Sequence, residues 1–377
     1  MCHPHFIYSI ILNGCNAFLW YDFYYKITSE LLEEHSLVDK ILFVALIISF
    51  NFFDVFFRVV LIIYRKQIPK LLVELETVKF AQVHNDFEKC RKFYCLFRLL
   101  LLLPRLVCPV IILCWYYQNV PAKSSILPNT TWYYISFFIF AEIPIMLSII
   151  FIYDLILVTT FCIIRTFEDF ARSTHEAIIS RCHLFSETGS SQNFSIEQKN
   201  GISPTPSFVV INDADSIQAV TKDGLRKFEN LETLSKKYDR VIGPLIFGII
   251  VRSVFMIVHS ANSLLFAEPV MESRKQGFIK DAFDVLMLII ELSQLLTLLQ
   301  LGSEVVNRIA EWKVNLFNAV ILMEDDKEKD QMKDLVQVIC KWDWRISAMG
   351  LFDIKKSLVC SIVTTILSYI IPIQTFG

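Results

Sequence analysis

The sequence predicts an all-α polytopic membrane protein with seven transmembrane helices, a cytosolic N-terminus, an extracellular C-terminus and a cytosolic helical anchor bundle. Three observations predict this fold class: composition, the lengths of the apolar runs, and an uneven distribution of Lys and Arg. Of the 377 residues, 54% are hydrophobic and 20% are charged, which is too apolar for a soluble globular protein. The formal net charge of −2 gives no bulk positive field, so no nucleic-acid partner is expected.

The apolar runs set the number of spans, because a helix needs about 20 apolar residues to cross the hydrocarbon core. Polar residues interrupt a weaker run near the N-terminus, which we nevertheless count as the first span. In chain order, the predicted spans are 6–25, 41–64, 94–117, 132–164, 241–266, 281–305 and 357–376.

The positive charges orient these spans, since Lys and Arg are retained on the cytoplasmic side. The loops 65–93, 165–240 and 303–356 hold 26 of the 36 Lys and Arg residues. The alternate loops hold six, and one of them contains the glycosylation sequon Asn129-Thr130-Thr131. The N-terminus is therefore expected inside, the C-terminus outside, and a glycan on Asn129.

The long loops predict the domain organisation. Helical spacing at 165–185 and 217–240 extends the neighbouring spans into the cytosol, around a polar flexible loop at 186–215. Two amphipathic helices, split near Glu324, follow the sixth span. The predicted parts are spans one to four with their loops (1–164), cytosolic extensions (165–240), spans five and six (241–305), anchor helices (306–350) and the final helix (351–377).

Ionisable residues inside spans are costly and usually pair or face a cavity. Arg105, Glu142, Arg252 and Glu291 fall at similar depths near the middle of their spans. We expect Arg105 to pair with Glu142 and Arg252 with Glu291, either to hold helices in register or to form the polar floor of a ligand cavity. Asp54 and Arg58, four residues apart, suggest a local pair.

Aromatic and polar side chains in the outer halves of the spans match the walls of a small-molecule pocket, although aromatic residues at span ends also form interfacial belts. The residues that we expect to line a ligand pocket are Tyr134, Phe138, Glu142, His259, Asn262 and Asp284.

Enzymatic chemistry has no support in the sequence. No nucleotide-binding glycine loop, nucleophile elbow or paired zinc motif is present. His175, Cys182 and His183 lack a fourth ligand at a matching spacing, so they are expected to be ordinary core or surface residues. The sequence therefore predicts a protein without enzymatic activity, cofactor or metal.

The C-terminal segment resembles the insect gustatory receptor family. That family ends in a helix with a Thr-Tyr, five apolar residues, then Gln-Phe, and here Ser368 and Tyr369 stand at the first pair and Thr375 and Phe376 at the second. Gln374 lies one position early, and Pro372 interrupts the apolar run. The other residues that carry the resemblance are Gly350-Leu351-Phe352-Asp353-Ile354, Leu358 and Ser361-Ile362.

The resemblance implies a ligand-gated, non-selective cation channel in the plasma membrane of a sensory neuron. It implies a homo- or heterotetramer of related subunits, surrounded by membrane lipid and gated by a small-molecule tastant. The family's sugar receptors carry Glu after the motif Tyr, whereas Ile370 stands here, so a bitter or other compound is favoured over a sugar. The residues expected at the pore or gate are Ile362, Thr365, Tyr369, Ile373, Gln374, Thr375 and Phe376.

Three alternatives remain open at this point. An insect odorant receptor subunit has similar architecture. A G-protein-coupled receptor is disfavoured by the inverted charge bias, and a transporter by the lack of an internal repeat.

Overall fold

The computed structural model describes residues 52–53, 55–75, 143–189, 215–265, 274–323 and 326–376. Within these ranges the chain is helical apart from connecting turns and one two-stranded β-hairpin, so the predicted all-α fold is confirmed. The first and third predicted spans lie outside the described residues.

Seven helices and two short strands follow one another in the described chain. They are α1 (Val55–Tyr64), α2 (67–75), α3 (Ile143–Gly189), α4 (Asp215–Leu265), α5 (Arg274–Ile321), α6 (Asp326–Lys341), β1 (Ser347–Ala348), β2 (Phe352–Asp353) and α7 (Leu358–Phe376).

Three helices contain stretches that are long and apolar enough to cross a membrane, namely Ser148–Ser180, Val220–Leu264 and Asp284–Ile321. Each is longer than the roughly 20 residues that a span requires. The predicted helical continuations of the fourth and fifth spans are therefore present. Helix α3 also runs to Gly189, four residues into the segment predicted as a flexible loop; positions 190–214 lie outside the described residues.

The described chain divides into two compact units. The first comprises the described residues up to Thr159, together with Asp239–Ser303 and the chain from Ile346 onward. The second comprises the described parts of Thr160–Tyr238 and Glu304–Arg345. The placement of the second unit in the cytosol stays a prediction.

In the first unit, α1 packs on α4 through aromatic rings. A Cβ atom on Gly248 would lie 2.6 Å from ring carbons of both Phe56 and Phe57, so the missing side chain lets the helices approach closely. Phe53 contacts Phe255 with ring centroids 6.1 Å apart. The other side of α1 exposes an apolar stripe four residues apart, which is typical of a lipid-facing surface: Val55, Val59 and Ile63.

In the second unit, aromatic rings from three parts of the chain form the core. Trp342 stacks on Trp344 at 5.9 Å and contacts Phe167 and Phe228 at 5.3 and 5.7 Å. Phe228 lies in the segment 217–240, for which the sequence predicts a helix, and Phe228, Leu231 and Leu234 of that segment are buried. Burying a phenylalanine side chain contributes about 1.5–3 kcal/mol, so this cluster stabilises the unit substantially.

A charge network joins α3 to α5 in the same unit. The carboxylate of Glu168 accepts hydrogen bonds from Arg165 at 3.0 Å and from Arg308 at 2.7 Å. Arg308 also donates to Glu304 at 2.8 Å. Because Glu168 is buried, two guanidinium partners offset the cost of removing its charge from water.

The hairpin between α6 and α7 is a feature that the sequence analysis did not predict. Its strands pair antiparallel, with Ala348 opposite Phe352. Met349 and Gly350 form the turn with φ values of 57° and 73°, and Gly350 is the residue type that favours this left-handed region.

Candidate functional site

A buried ion pair joins α4 to α5 in the first unit. The Arg252 guanidinium donates to Glu291 Oε1 at 2.7 Å, and Ser253 Oγ donates to Glu291 Oε2 at 2.8 Å. Glu291 is 0% exposed and Arg252 is 8% exposed, so both oxygens of the carboxylate have a partner where water is excluded. The predicted pairing of Arg252 with Glu291 is confirmed.

The other two predicted pairs stay predictions. Arg105 and Glu142 lie outside the described residues, and so does Asp54, the expected partner of Arg58 on α1.

A second polar contact joins the same two helices further along. Ser263 Oγ donates to Asp284 Oδ2 at 2.5 Å, and Asp284 is only 4% exposed. From Arg252 to Ser263 the chain advances along α4, whereas from Glu291 to Asp284 it steps back along α5. The two contacts are therefore successive levels of one antiparallel helix pair.

An apolar cluster lies between these two contacts along both helices. Met256 packs with Met287 and Ile290, all three at most 6% exposed, and Leu286 packs against them. The seam between α4 and α5 thus has a charged level, an apolar level and a second polar level. Apolar walls with a few placed polar groups are typical of a small-molecule site.

The structure describes half of the expected pocket residues. His259 and Asn262 are half-buried on α4, and no hydrogen-bond partner for the enclosed Asn262 Oδ1 lies among the described residues. Asp284 is buried on α5 against Ser263, as above. Tyr134, Phe138 and Glu142 lie outside the described residues, as does Asn129.

Helix α7 presents different faces to its own chain and to the outside. Its buried side carries Ile362, 9% exposed, with half-buried Leu358, Val359 and Ile366. An exposed side carries four hydroxyl residues with the spacing i, i+3, i+4, i+7, which places them on one face: Ser361, Thr364, Thr365 and Ser368. Three of these hydroxyls donate to backbone carbonyls of α7 at 2.7–2.8 Å.

Two of the expected pore residues have described side chains. Thr365 lies on the exposed hydroxyl face and Ile362 on the buried side of α7, and a pore role for either stays a prediction. The backbone of Tyr369, Ile373, Gln374, Thr375 and Phe376 lies in α7, while their side chains lie outside the description. The helix continues for four residues beyond Pro372, so this proline does not end it.

Several residues of the site were missed by sequence reasoning. Ser253 and Ser263 complete the polar contacts between α4 and α5, and no local signal singles them out among the serines of the spans. Ser361, Thr364 and Ser368 could have been found, since their spacing alone places them on the face of Thr365.

Comparison with solved structures identifies the fold. The insect olfactory receptor OR5 from Machilis hrabei superposes with a TM-score of 0.64 and 13% sequence identity, over 98% of this chain and 89% of the receptor. The chain has the fold of an insect olfactory receptor. The same receptor in complex with eugenol gives the same TM-score and coverage, with 14% identity.

Sequence comparison adds no closer relationship, because the chain matches no family model and no curated protein. Together, the olfactory receptor fold and the three long apolar helices identify a multi-pass membrane protein.

Proposed function

We propose that the protein is a ligand-gated, non-selective cation channel of the plasma membrane of a sensory neuron, that it detects small organic compounds, and that α7 lines its pore. The observation that carries the proposal is the exposed hydroxyl face of α7 on a chain with the fold of an insect olfactory receptor. A row of hydroxyl groups can contact hydrated cations that an aliphatic surface would repel.

The rest of α7 fits a helix that packs in a ring around a pore. Beside the hydroxyl face lies an exposed apolar side with Val363 and Leu367, 46% and 50% exposed. These side chains suit contact with lipid or with a neighbouring copy of α7. Tyr369, Ile373, Gln374, Thr375 and Phe376, on the last turns, remain the proposed gate.

The second unit carries a surface that supports assembly into a homo- or heterotetramer. The C-terminal part of α5 and the turn after it expose apolar side chains, each 54–65% exposed: Val314, Phe317 and Ile321 on α5, and Leu322 in the turn. If this unit lies in the cytosol, lipid cannot cover that surface. Apolar patches of this kind mark protein contacts, and a second copy of the chain is the proposed occupant.

The proposed ligand pocket comprises Tyr134, Phe138, Glu142, His259, Asn262 and Asp284. Among the described residues no partner reaches Asn262 Oδ1, an enclosed acceptor, and the flexible methionines packed in the α4–α5 seam can adapt to an apolar ligand. This chemistry suits a small apolar compound with one hydrogen-bond donor. Eugenol, present in the OR5 complex, is of this class and is a suitable first test compound.

The choice between taste and smell rests on two opposed observations. The C-terminal motif around Tyr369 and Phe376 favours a gustatory receptor for a bitter or other non-sugar compound. The fold match favours an odorant receptor subunit. Localising the transcript to taste or to olfactory neurons decides between them.

Charged thiol reagents test whether the hydroxyl face of α7 lines the pore. In a Cys360→Ser background, Thr365→Cys is expressed in cells with G-protein signalling blocked, and eugenol-evoked current is recorded. A positively charged methanethiosulfonate should reduce the cation current and a negatively charged one should not, because only the first repels the permeating ions. Val363→Cys, on the neighbouring apolar side, is the matched control. Equal effects of both reagents at position 365 would contradict the proposed pore face.

A further inference from the structure

The β-hairpin lies between the end of α6 and the start of α7, and its backbone touches two other helices of the first unit. A Cβ on Gly243 of α4 would lie 3.2 Å from the amide nitrogen of Met349 and 3.3 Å from the carbonyl oxygen of Ser347. A Cβ on Gly302 of α5 would collide with the carbonyl group of Ile354. At both places a helix and the hairpin meet backbone to backbone.

These two glycines have a physical reason to be there. A glycine inside a helix costs roughly 0.5–1 kcal/mol relative to alanine. Backbone atoms cannot rotate away as a flexible side chain can. Alanine at position 302, with its Cβ colliding with the Ile354 carbonyl oxygen, would therefore force the hairpin away from α5, whereas alanine at position 243 would only press on the hairpin backbone at 3.2–3.3 Å. The following residue, Pro244, adds a local weakness to α4, because it cannot donate to the carbonyl of Arg240 four residues earlier.

The hairpin is held as one piece. Ile346, Ala348 and Ile354 are at most 1% exposed, and the Ile354 amide donates to the Ile346 carbonyl at 2.8 Å. Its exit is fastened to α5, since the amide of Lys356 donates to Ser303 Oγ at 2.8 Å. Helix α7 begins two residues later, at Leu358.

The same two helices carry the polar contacts of the candidate ligand site. Arg252 lies nine residues beyond Gly243, about 14 Å along α4, and Glu291 lies eleven residues before Gly302, about 16 Å along α5. The hairpin thus lies in a slot between Gly243 of α4 and Gly302 of α5. A displacement of α4 relative to α5 near Arg252 and Glu291 would reach both walls of this slot.

We propose that the hairpin, residues 346–354, transmits displacement of α4 and α5 to the pore helix α7, with Gly243, Gly302 and Ser303 as positioning residues. Ligand binding would change the α4–α5 seam, the slot would move the hairpin, and the hairpin would move the first turn of α7. The role of α7 as the pore rests on the proposed function, but the mechanical coupling does not.

Hydrogen exchange of the purified receptor in nanodiscs tests the coupling without a ligand. Gly302→Ala should loosen the start of α7 and accelerate exchange of its amides 358–368 by about threefold or more. Gly224→Ala is the matched control: it is the same substitution in α4, but its Cβ would meet only side-chain carbons of Leu335, which can rotate away. Its α7 exchange should equal that of the unsubstituted protein.

A double-mutant cycle separates transmission from simple loosening. Ser263→Ala removes the distant contact with Asp284 and should alter α7 exchange by itself. In the Gly302→Ala background, Ser263→Ala should change the exchange of α7 by less than about half of the change that it causes on its own, because the connection is already disrupted. If Gly302→Ala does not fold, Ser303→Ala, which removes one hydrogen bond, replaces it in the cycle.

The outcomes are distinguishable. Faster exchange in the hairpin with unchanged exchange in α7, or an undiminished effect of Ser263→Ala in the double variant, would overturn the coupling. Coupling present in a protein that carries no cation current with any compound that binds it would support the hairpin proposal and contradict the proposed channel function.

Discussion

At the scale of single residues, the energetics of the site depend on Glu291. Its carboxylate is fully buried and receives both Arg252 and Ser253. Sequence reasoning could find the ion pair, because two opposite charges at one depth of neighbouring spans have few other ways to be accommodated. Sequence reasoning could not find Ser253. A serine hydroxyl is tolerated in a span because it can bond to a carbonyl of its own helix, and whether it reaches another helix depends on how the helices are rotated.

Removing one member of this pair should be far worse than removing both. Glu291→Ala leaves Arg252 buried and unpaired, which should lower the stability of the purified receptor by about 3–5 kcal/mol. The double variant Arg252→Met/Glu291→Leu should recover most of that loss in thermal unfolding. Glu232→Ala, which breaks the exposed pair with Lys236, is the control and should cost less than about 1 kcal/mol. Equal destabilisation by the single and double variants would contradict the ion-pair account.

The thiol of Cys340 offers a pH-dependent test in the second unit. Burial raises the pKa of Cys340, and the nearby charge of Lys313 partly opposes that rise. The native thiol should therefore react with N-ethylmaleimide more slowly than the same thiol in the unfolded chain, with its rate still increasing at pH values where the unfolded rate has levelled off. The shift also implies stability that is present below the unfolded pKa and is lost as pH rises through the native pKa.

Lys313→Met should slow the native reaction further, because it removes the charge that lowers the Cys340 pKa. Lys333→Met, at an exposed position of α6, should leave the rate unchanged. Mass spectrometry of the peptide that contains Cys340 measures both rates. A faster reaction in Lys313→Met would show that the electrostatic assignment is wrong.

At the scale of elements, long periodic segments were predictable and short or rotational features were not. The break near Glu324 between α5 and α6 follows from the acidic run that ends an apolar stripe. The hairpin strands have two residues each, too few for an alternating pattern, and only Gly350 signals the turn. The resemblance selects pore candidates by position in the motif and not by helix face, so it could not tell that Ile362 is buried and Thr365 exposed.

The exposed apolar face of α5 gives a prediction about assembly. Phe317→Glu places a charge in the middle of that face and should shift the purified receptor from tetramer towards monomer, because an unpaired carboxylate is costly in an apolar contact. Gln337→Glu adds the same charge at an exposed position of α6, away from the α5 face, and should leave the proposed tetramer intact. Light scattering after size-exclusion chromatography gives the masses. A tetramer in both variants would contradict an interface at Phe317.

At the scale of the whole molecule, the uneven distribution of Lys and Arg predicts a cytosolic N-terminus and an extracellular C-terminus, the inverse of a G-protein-coupled receptor. An epitope tag after Gly377 should be detected on intact cells, and a glycosidase should remove a glycan from the native protein but not from Asn129→Gln. Detection of the tag only after permeabilisation would contradict the orientation. Such a result would also place the C-terminal end of α7 on the cytosolic side.

The proposed function requires that this chain itself form a ligand-gated cation pore. Its most direct test is a recording from the purified protein in a planar lipid bilayer, without any other protein, across a panel of small aromatic compounds that includes eugenol. Single-channel openings should appear with a compound, carry both Na⁺ and K⁺, and change in conductance when Thr365 is replaced by Val. Compounds that bind the purified protein without opening any conductance, with or without Thr365→Val, would contradict a pore formed by this chain alone.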